Sequence, residues 1–298
     1  MSDVNGSKIT VRVPATSANL GPGFDCLGLA VTRYLEVEAT PSACDAFHYS
    51  GTGALPDSPD NLTHGGFRAA FARVDREAPK VTFTARNTIP LARGLGSSSA
   101  ALVAGAALAD AFLKGELGRE GVFQLTAELE GHPDNVAPAV FGGFTVSAQL
   151  GERYLCQPLP LPPHWHLLFA IPERELLTRE ARAVLPDHYS RADTIFNASR
   201  TALWATAVAL DKPELLRAAS QDRLHEPYRE TLIPGLAAHR RELLEAGACA
   251  AFLSGAGPTL AAISVDNATT AKLTGILQRF AGAGEVLELR PSEGYTLS

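Results

Sequence analysis

From residue 94 to residue 113 the chain runs through two glycines, three serines and then a stretch apolar on nearly every face. Gly94 and Gly96 permit tight turns and close backbone approach. Ser97, Ser98 and Ser99 follow, and the Ala- and Leu-rich residues 97–113 read as a helix. A helix that is apolar all round has no face to give to water, so other elements must pack about it inside a domain. Its start is equally constrained. Free N–H groups and the positive end of a helix dipole, presented by a glycine loop, suit an anion, phosphate above all. A buried helix capped by serine behind a glycine hinge is the alternative reading of the same residues.

Two common phosphate loops do not fit. A Walker A loop needs Gly-Lys-Ser/Thr, and no lysine stands here. A dinucleotide fingerprint needs a third glycine where Ser99 stands and a strand directly before it. The nearest strand pattern ends near Ala85.

The 298 residues are 46% hydrophobic and 19% charged, an ordinary globular balance. A chain of this size buries roughly three quarters of its unfolded surface, as one large domain or two intimate ones. The net charge of −6 and the lack of a Lys/Arg run argue against a nucleic-acid partner. Cys26, Cys44, Cys156 and Cys249 form no CxxC pair, so neither a zinc ribbon nor a redox motif is indicated. The most apolar run, residues 100–112, is broken by Asp110 and too short to span a bilayer. Residues 1–8 are polar and hold no signal-peptide core. These features predict a soluble, cytoplasmic protein with no membrane partner.

Strand patterns occupy residues 8–13 (ended by Pro14), 34–39, 81–85, 144–148, 165–171, 250–253, 260–265 and 285–290. Helical patterns occupy 61–74, 97–113, 120–130, 179–184, 192–210 and 273–280. Residues 50–61 read as a loop. The mixture lacks strict βαβ alternation, which predicts an α+β fold. Four prolines within residues 157–163 mark a domain crossing, giving parts 1–155 and 156–298.

Several side chains can be placed by periodicity. Thr178 and Arg182 are four apart and share a helix face. On the helix at 120–130, at about 100° per residue, Glu128 lies roughly 80° from the centre of the Val122/Leu125/Leu129 stripe and Glu130 roughly 120°. That puts Glu128 nearer the interior and Glu130 in solvent. His164 and His166 alternate on one strand face without an acidic or cysteine neighbour in sequence, and read as structural. Cys26 reads as a packing residue.

The loop at residues 90–100 resembles the ATP-binding motif of the GHMP kinases. Two further segments fit the same family in the same order. Residues 13–28 read Val-Pro-Ala-Thr-Ser-Ala-Asn-Leu-Gly-Pro-Gly-Phe-Asp-Cys-Leu-Gly, and residues 254–259 read Ser-Gly-Ala-Gly-Pro-Thr. The three motifs span almost the whole chain, and the first is most similar to that of the homoserine kinases. The resemblance implies the α+β GHMP kinase fold: a ribosomal protein S5 domain 2-like N-terminal part and a ferredoxin-like C-terminal part.

It also implies ATP-dependent phosphorylation of the L-homoserine hydroxyl, with Mg²⁺. Another small-molecule GHMP kinase, or a non-catalytic ligand-binding regulator of that fold, is the alternative. On the resemblance, Pro90, Leu91, Ala92, Arg93, Gly94, Leu95, Gly96, Ser97, Ser98, Ser99 and Ala100 wrap the ATP phosphates, and Asn61 lies near adenine. Ser98 and Glu128 hold the metal. Asp134 contacts or deprotonates the acceptor hydroxyl, and Asn135 completes the family's Asp-Asn pair. Homoserine carries an ammonium and a carboxylate, which call for acids and for guanidinium. Asn19, Asp25, Thr178, Arg182, Arg229 (in Glu226-Pro-Tyr-Arg229) and Gly257 are the implied substrate contacts. Residues 14–17 hold no lysine, unlike the mevalonate kinases. A homodimer is expected, as homoserine kinases are often dimers.

Overall fold

A computed structural model describes residues 8–298; residues 1–7, most of the stretch read above as lacking a signal-peptide core, lie outside the described part. Two sheets organise the described residues. The first is built from β1 (Ile9–Ala18), β2 (Leu27–Pro41), β3 (Ala46–Gly51), β4 (Val81–Asn87), β5 (Phe144–Leu150) and β6 (Arg153–Leu159). The second holds β7 (His166–Ile171), β8 (Ala250–Leu253), β9 (Leu260–Ser264) and β10 (Glu285–Leu289). A short β11 (Thr296–Leu297) then returns to the first sheet beside β1.

The long β2 is the spine of the first sheet. It pairs with β1 over nearly its whole length, with β4 through Leu35–Pro41, and with β5 through Leu27–Leu29. β1 does not stop at Pro14. It shifts register between Pro14 and Ala15 and continues to Ala18. A bulge is where a strand tolerates a residue that lacks the ladder donor. This continuation carries Thr16 and Ser17 toward the cleft described below.

Among the described residues, ten α-helices complete the fold: α1 (Leu62–Arg73), α2 (Ser97–Phe112), α3 (Gly118–Glu130), α4 (Val136–Phe141), α5 (Thr178–Ala183), α6 (Arg191–Ala209), α7 (Leu216–Ala219), α8 (Glu226–Arg229), α9 (Leu236–Glu245) and α10 (Asn267–Ala281). As its composition demands, α2 is buried from Leu102 to Asp110. It touches α1 backbone to backbone, since a Cβ on Gly105 would stand 1.9 Å from the Thr63 carbonyl oxygen.

Local strand order in the second sheet is 4-1-3-2, all antiparallel, in a βαββαβ sequence: the ferredoxin-like arrangement. Strands β7, β8 and β9 are mostly apolar and buried because both faces are covered, whereas the edge strand β10 carries Glu285 and Glu288 and is partly exposed. Leu167, Phe169 and Ile171 of β7 join the main core, while Leu168 and Ala170 join a second core under α9 and α10. Trp204 of α6 sits between Phe144 of the first sheet and Phe252 of the second, at ring-centroid distances of 6.0 and 5.8 Å.

The α+β expectation is met, but the boundary expected at residues 155/156 falls inside β6. The crossing comes after Leu159, where prolines end the strand. After β10 the chain goes back: Pro291 bridges Val31 and Glu293 bridges Gly142.

Candidate active site

A cleft of about 210 Å³ opens where the two layers meet. Its walls are the loop before α2, the turn after α3, the start of α5, Arg229 of α8, and the segments around Asn19 and Gly255.

The serines do not cap α2. Gly96, not a serine, is the residue before the first turn of α2; its φ is +69°, and no side chain caps the helix. The serine hydroxyls are therefore not spent on capping. Ser99 Oγ donates to Glu130 Oε1 at 3.0 Å, and Ser98 Oγ lies 3.4 Å from Glu130 Oε2. Ala92, Arg93, Gly94, Gly96, Ser97, Ser98 and Ser99 line the cleft. Pro90 and Leu91 do not line it, Leu95 is buried behind the loop and accepts from the Thr16 N–H, and Ala100 is buried in α2. The Arg93 guanidinium bonds to the carbonyls of Pro172 and Leu91.

The third motif braces the loop from behind. Ser254 Oγ donates to the Gly94 carbonyl at 2.7 Å and Thr259 Oγ1 to that of Arg93 at 2.6 Å. Gly255 and Ala256 line the cleft, whereas Gly257 stands behind Gly94 and does not. Gly96 is pinned against the first motif. A Cβ there would lie 1.9 Å from Thr16 Oγ1, which itself donates to Asn135 Oδ1 at 2.8 Å. Gly96→Ala is expected to cost more than about 1 kcal/mol of stability, since alanine is strained at positive φ, and to weaken ATP binding at least tenfold. Thermal melting and the KM for ATP check both effects.

The glutamate assignment is reversed. Glu128 is exposed and pairs with Arg73 of α1. Glu130 turns into the cleft, and burial raises its carboxyl pKa. The buried stripe of α3 is Val122, Phe123, Leu125, Thr126 and Ala127, while Leu129 is 47% exposed. Counting Leu129 as core rotated the wheel the wrong way. Thr126 behaves as a core residue because its hydroxyl bonds back to the Val122 carbonyl at 2.7 Å.

Asp134 is buried beside Glu130, and its Oδ1 lies 2.6 Å from His132 Nδ1. Burial works against a charge on His132, but the hydrogen bond and charge of Asp134 outweigh it and raise its pKa. His132 is thus the imidazole partner of Asp134, where residues 14–17 offer no lysine. Among the described residues, Asp25, His132 and Asp134 are the acids and imidazole that converge most closely.

The opposite wall holds the basic groups. Thr178 and Arg182 share the cleft-facing side of α5, as their spacing implies. Arg182 forms a two-pronged ion pair with Asp25, at 2.6 and 3.1 Å. Asn19 works through its amide: Nδ2 donates to the Gly255 carbonyl, and Oδ1 accepts from the Asp25 N–H. Arg229 is 2% exposed, and its partners are neutral: the carbonyls of Ala181 and Gly255, and His225 Nδ1. Burial, with the charge of Arg182, lowers its pKa to about 10.

Asn61 is not in this wall. It caps α1, accepting from the His64 N–H and donating to the Ser58 carbonyl. His164 and His166 pair with separate acids, Asp211 and Glu288, and share no centre. Burial raises the Cys26 thiol pKa, in keeping with a packing role. Glu130, His132 and Phe24, whose ring lies 5.2 and 5.5 Å from the guanidinium carbons of Arg182 and Arg229, are cleft residues to which the sequence reading gave no role.

The chain is similar to known proteins over almost its whole length. Residues 61–143 match the family model for the GHMP kinases N terminal domain, and residues 206–280 that for the GHMP kinases C terminal domain. A homoserine kinase of Thermus thermophilus is 50% identical over 283 residues, 95% of this chain and 96% of the relative. The crystal structure of homoserine kinase from Cytophaga hutchinsonii superposes with a TM-score of 0.86 at 25% identity, covering 100% of this chain and 99% of that one. A putative homoserine kinase from Listeria monocytogenes superposes at 0.79 with 33% identity, covering 97% and 99%.

Proposed function

This chain belongs to the GHMP kinases, and within them to the homoserine kinases, and from that premise we infer how its cleft divides the work. The reaction is the ATP-dependent phosphorylation of the L-homoserine hydroxyl to O-phospho-L-homoserine, in threonine biosynthesis. The observation that carries an amino-acid acceptor is Arg229, a buried guanidinium whose partners are all neutral, facing a cleft that also holds Asp25 and Asp134. An acceptor with a carboxylate and an ammonium uses both signs of charge, whereas a sugar or polyol uses neither.

The cleft is smaller than the roughly 300–1,000 Å³ that enclose a drug-sized ligand. It suits a small acceptor and the phosphate end of ATP. The uncapped amides of Ser97, Ser98 and Ser99 bind phosphate oxygens, and the dipole of α2 favours their charge. Asp134 orients the acceptor hydroxyl, and His132 steadies its charge through their hydrogen bond. Thr16 fixes the Asn135 amide beside them. Asp25 receives the ammonium, and Arg229 with Thr178 and Arg182 the carboxylate. Positioning and charge neutralisation supply most of the catalysis in phosphoryl transfer.

The donor set also fits magnesium, which prefers hard oxygen ligands and few carboxylates. Glu130 has hydroxyl partners and no ion-pair partner among the described residues. Glu130 and Ser98 would hold the ion, which when bound offsets charge on the phosphate oxygens. No described helix is long and apolar enough to cross a membrane. A cytoplasmic location and a homodimer accompany the family reading, and sedimentation of the purified protein tests the dimer.

The direct test is ADP release with ATP, Mg²⁺ and L-homoserine, beside L-serine, mevalonate and shikimate. Turnover with homoserine at least tenfold above the others is expected. Equal turnover with mevalonate or shikimate would discard the amino-acid half of the assignment.

A further inference from the structure

Arginine has five N–H donors. In Arg229, Nε donates to the Ala181 carbonyl at 3.1 Å, and Nη1 contacts both the Gly255 carbonyl at 2.9 Å and His225 Nδ1 at 3.0 Å. Nη2 has no partner among the described residues and is not a sealed orphan, and Arg229 lines the cleft. Three donors hold the group, and two remain for a ligand.

His225 makes that division possible. Its side chain is fully buried. Its Nε2 stands 2.6 Å from the Gly21 carbonyl, which can only accept, so Nε2 carries the proton. Nδ1 is then the lone-pair nitrogen facing the Arg229 donor. A proton there would set two donors and two positive charges against each other. The charged groups around the ring are Asp222, with Oδ2 3.7 Å from Nε2, then Arg229 and the more distant Arg240. Burial lowers the pKa of His225 to about 4, keeping the ring neutral.

The ring is itself held. Asp222 accepts from the backbone N–H groups of Leu224, His225 and Glu226 and from Asn197 Nδ2, at 2.6 to 3.0 Å. Gly21 belongs to the first sequence motif and Gly255 to the third; the imidazole ties Gly21 to Arg229, and Arg229 itself donates to the Gly255 carbonyl.

We propose that His225 is a positioning residue for the acceptor's carboxylate: its unprotonated Nδ1 anchors the Arg229 guanidinium without cancelling its charge. An aspartate in that place would hold Arg229 equally well and spend the charge the carboxylate needs. The proposal rests on the reading of Arg229 as the carboxylate's partner.

Three substitutions in the full-length enzyme separate the roles of the two ring nitrogens. His225→Ala should raise the homoserine KM by about tenfold or more, the scale of a lost hydrogen bond to a charged group, with the KM for ATP unchanged. His225→Asn puts an amide oxygen near the Nδ1 position and should bring the homoserine KM back to within about threefold of wild type. His225→Gln reaches the Nε2 position instead and should not. Equal KM values for Asn and Gln, or an unchanged KM in the alanine variant, would overturn the proposal. Arg229→Leu distinguishes the two failures. If it leaves the homoserine KM unchanged, the carboxylate assignment falls; if it raises KM while His225→Ala does not, only the positioning role falls. A measurement without mutation stands beside these. The ¹⁵N spectrum of histidine-labelled wild type should contain an imidazole, absent from the spectrum of His225→Asn, that is protonated at Nε2 alone and does not titrate between about pH 5.5 and 8. Titration of that imidazole in this range, or its protonation at Nδ1, would refute the proposal.

Discussion

Glu130→Gln will lower kcat by roughly 10²–10³-fold, the scale on which one preorganised charge-stabilising group acts, while Glu128→Gln will stay within about twofold of wild type. The two glutamates are two residues apart on α3, so any effect on helix propensity is shared. Their surroundings are opposite. Glu130 is held by the hydroxyls of Ser98 and Ser99 at the start of α2, and Glu128 faces solvent against Arg73. The amide keeps the size and hydrogen bonding of Glu130 but removes the charge, so folding should be little changed. Burial raises the Glu130 pKa and a bound cation lowers it, so wild-type activity lost as the pH falls should recover in part as Mg²⁺ is raised. Steady-state kinetics of both variants at saturating ATP and homoserine, across a magnesium series, is the measurement. A large loss in Glu128→Gln with an active Glu130→Gln would return the metal role to Glu128.

Arg229→Leu will raise the homoserine KM by about 100-fold and leave the KM for ATP within about threefold. Removing one side of a buried, hydrogen-bonded charge pair typically costs about 2–5 kcal/mol, which brackets that change. The variant should also melt earlier, because in a buried site the Ala181 carbonyl loses its side-chain donor and the Gly255 carbonyl keeps only Asn19 of its two. Arg229→Lys separates charge from geometry. It keeps the cation but cannot hold three internal acceptors while presenting two further donors, so its KM should fall between those of wild type and the leucine variant. A folded Arg229→Leu with a normal homoserine KM would contradict the assignment; circular dichroism establishes the folding.

What could be read in advance was what short stretches decide for themselves. The buried α2 follows from composition over one window, and Thr178 and Arg182 share the cleft because a four-residue spacing puts them on one face. β1 ran past its expected end because a bulge absorbed Pro14, and bulges depend on the partner strand. β3 was missed because only Phe47 of Ala46–Gly51 is buried, and its extended form comes from parallel pairing with β4. Glu130 was missed for a subtler reason. α3 turns small residues, Thr126 and Ala127, toward the interior and leaves Leu129 in solvent, so size misled the wheel. The pairs that tune the site span long separations: Asp25 with Arg182, Thr16 with Asn135, Gly21 with His225. No local pattern encodes those meetings.

The return of residues 290–297 to the first sheet sets a timetable for synthesis. β1 leaves the ribosome ahead of the second layer, yet its outer neighbour β11 is made only after all of that layer. Tyr295, buried under the Arg119 guanidinium, likewise reaches its place only then. Until that point the nascent chain carries an open strand edge, the kind of surface on which chains stick to one another. A ribosome stalled anywhere between β6 and β10 would therefore display a nearly finished first layer with one seam unclosed, because the strand that closes it lies beyond the whole second layer.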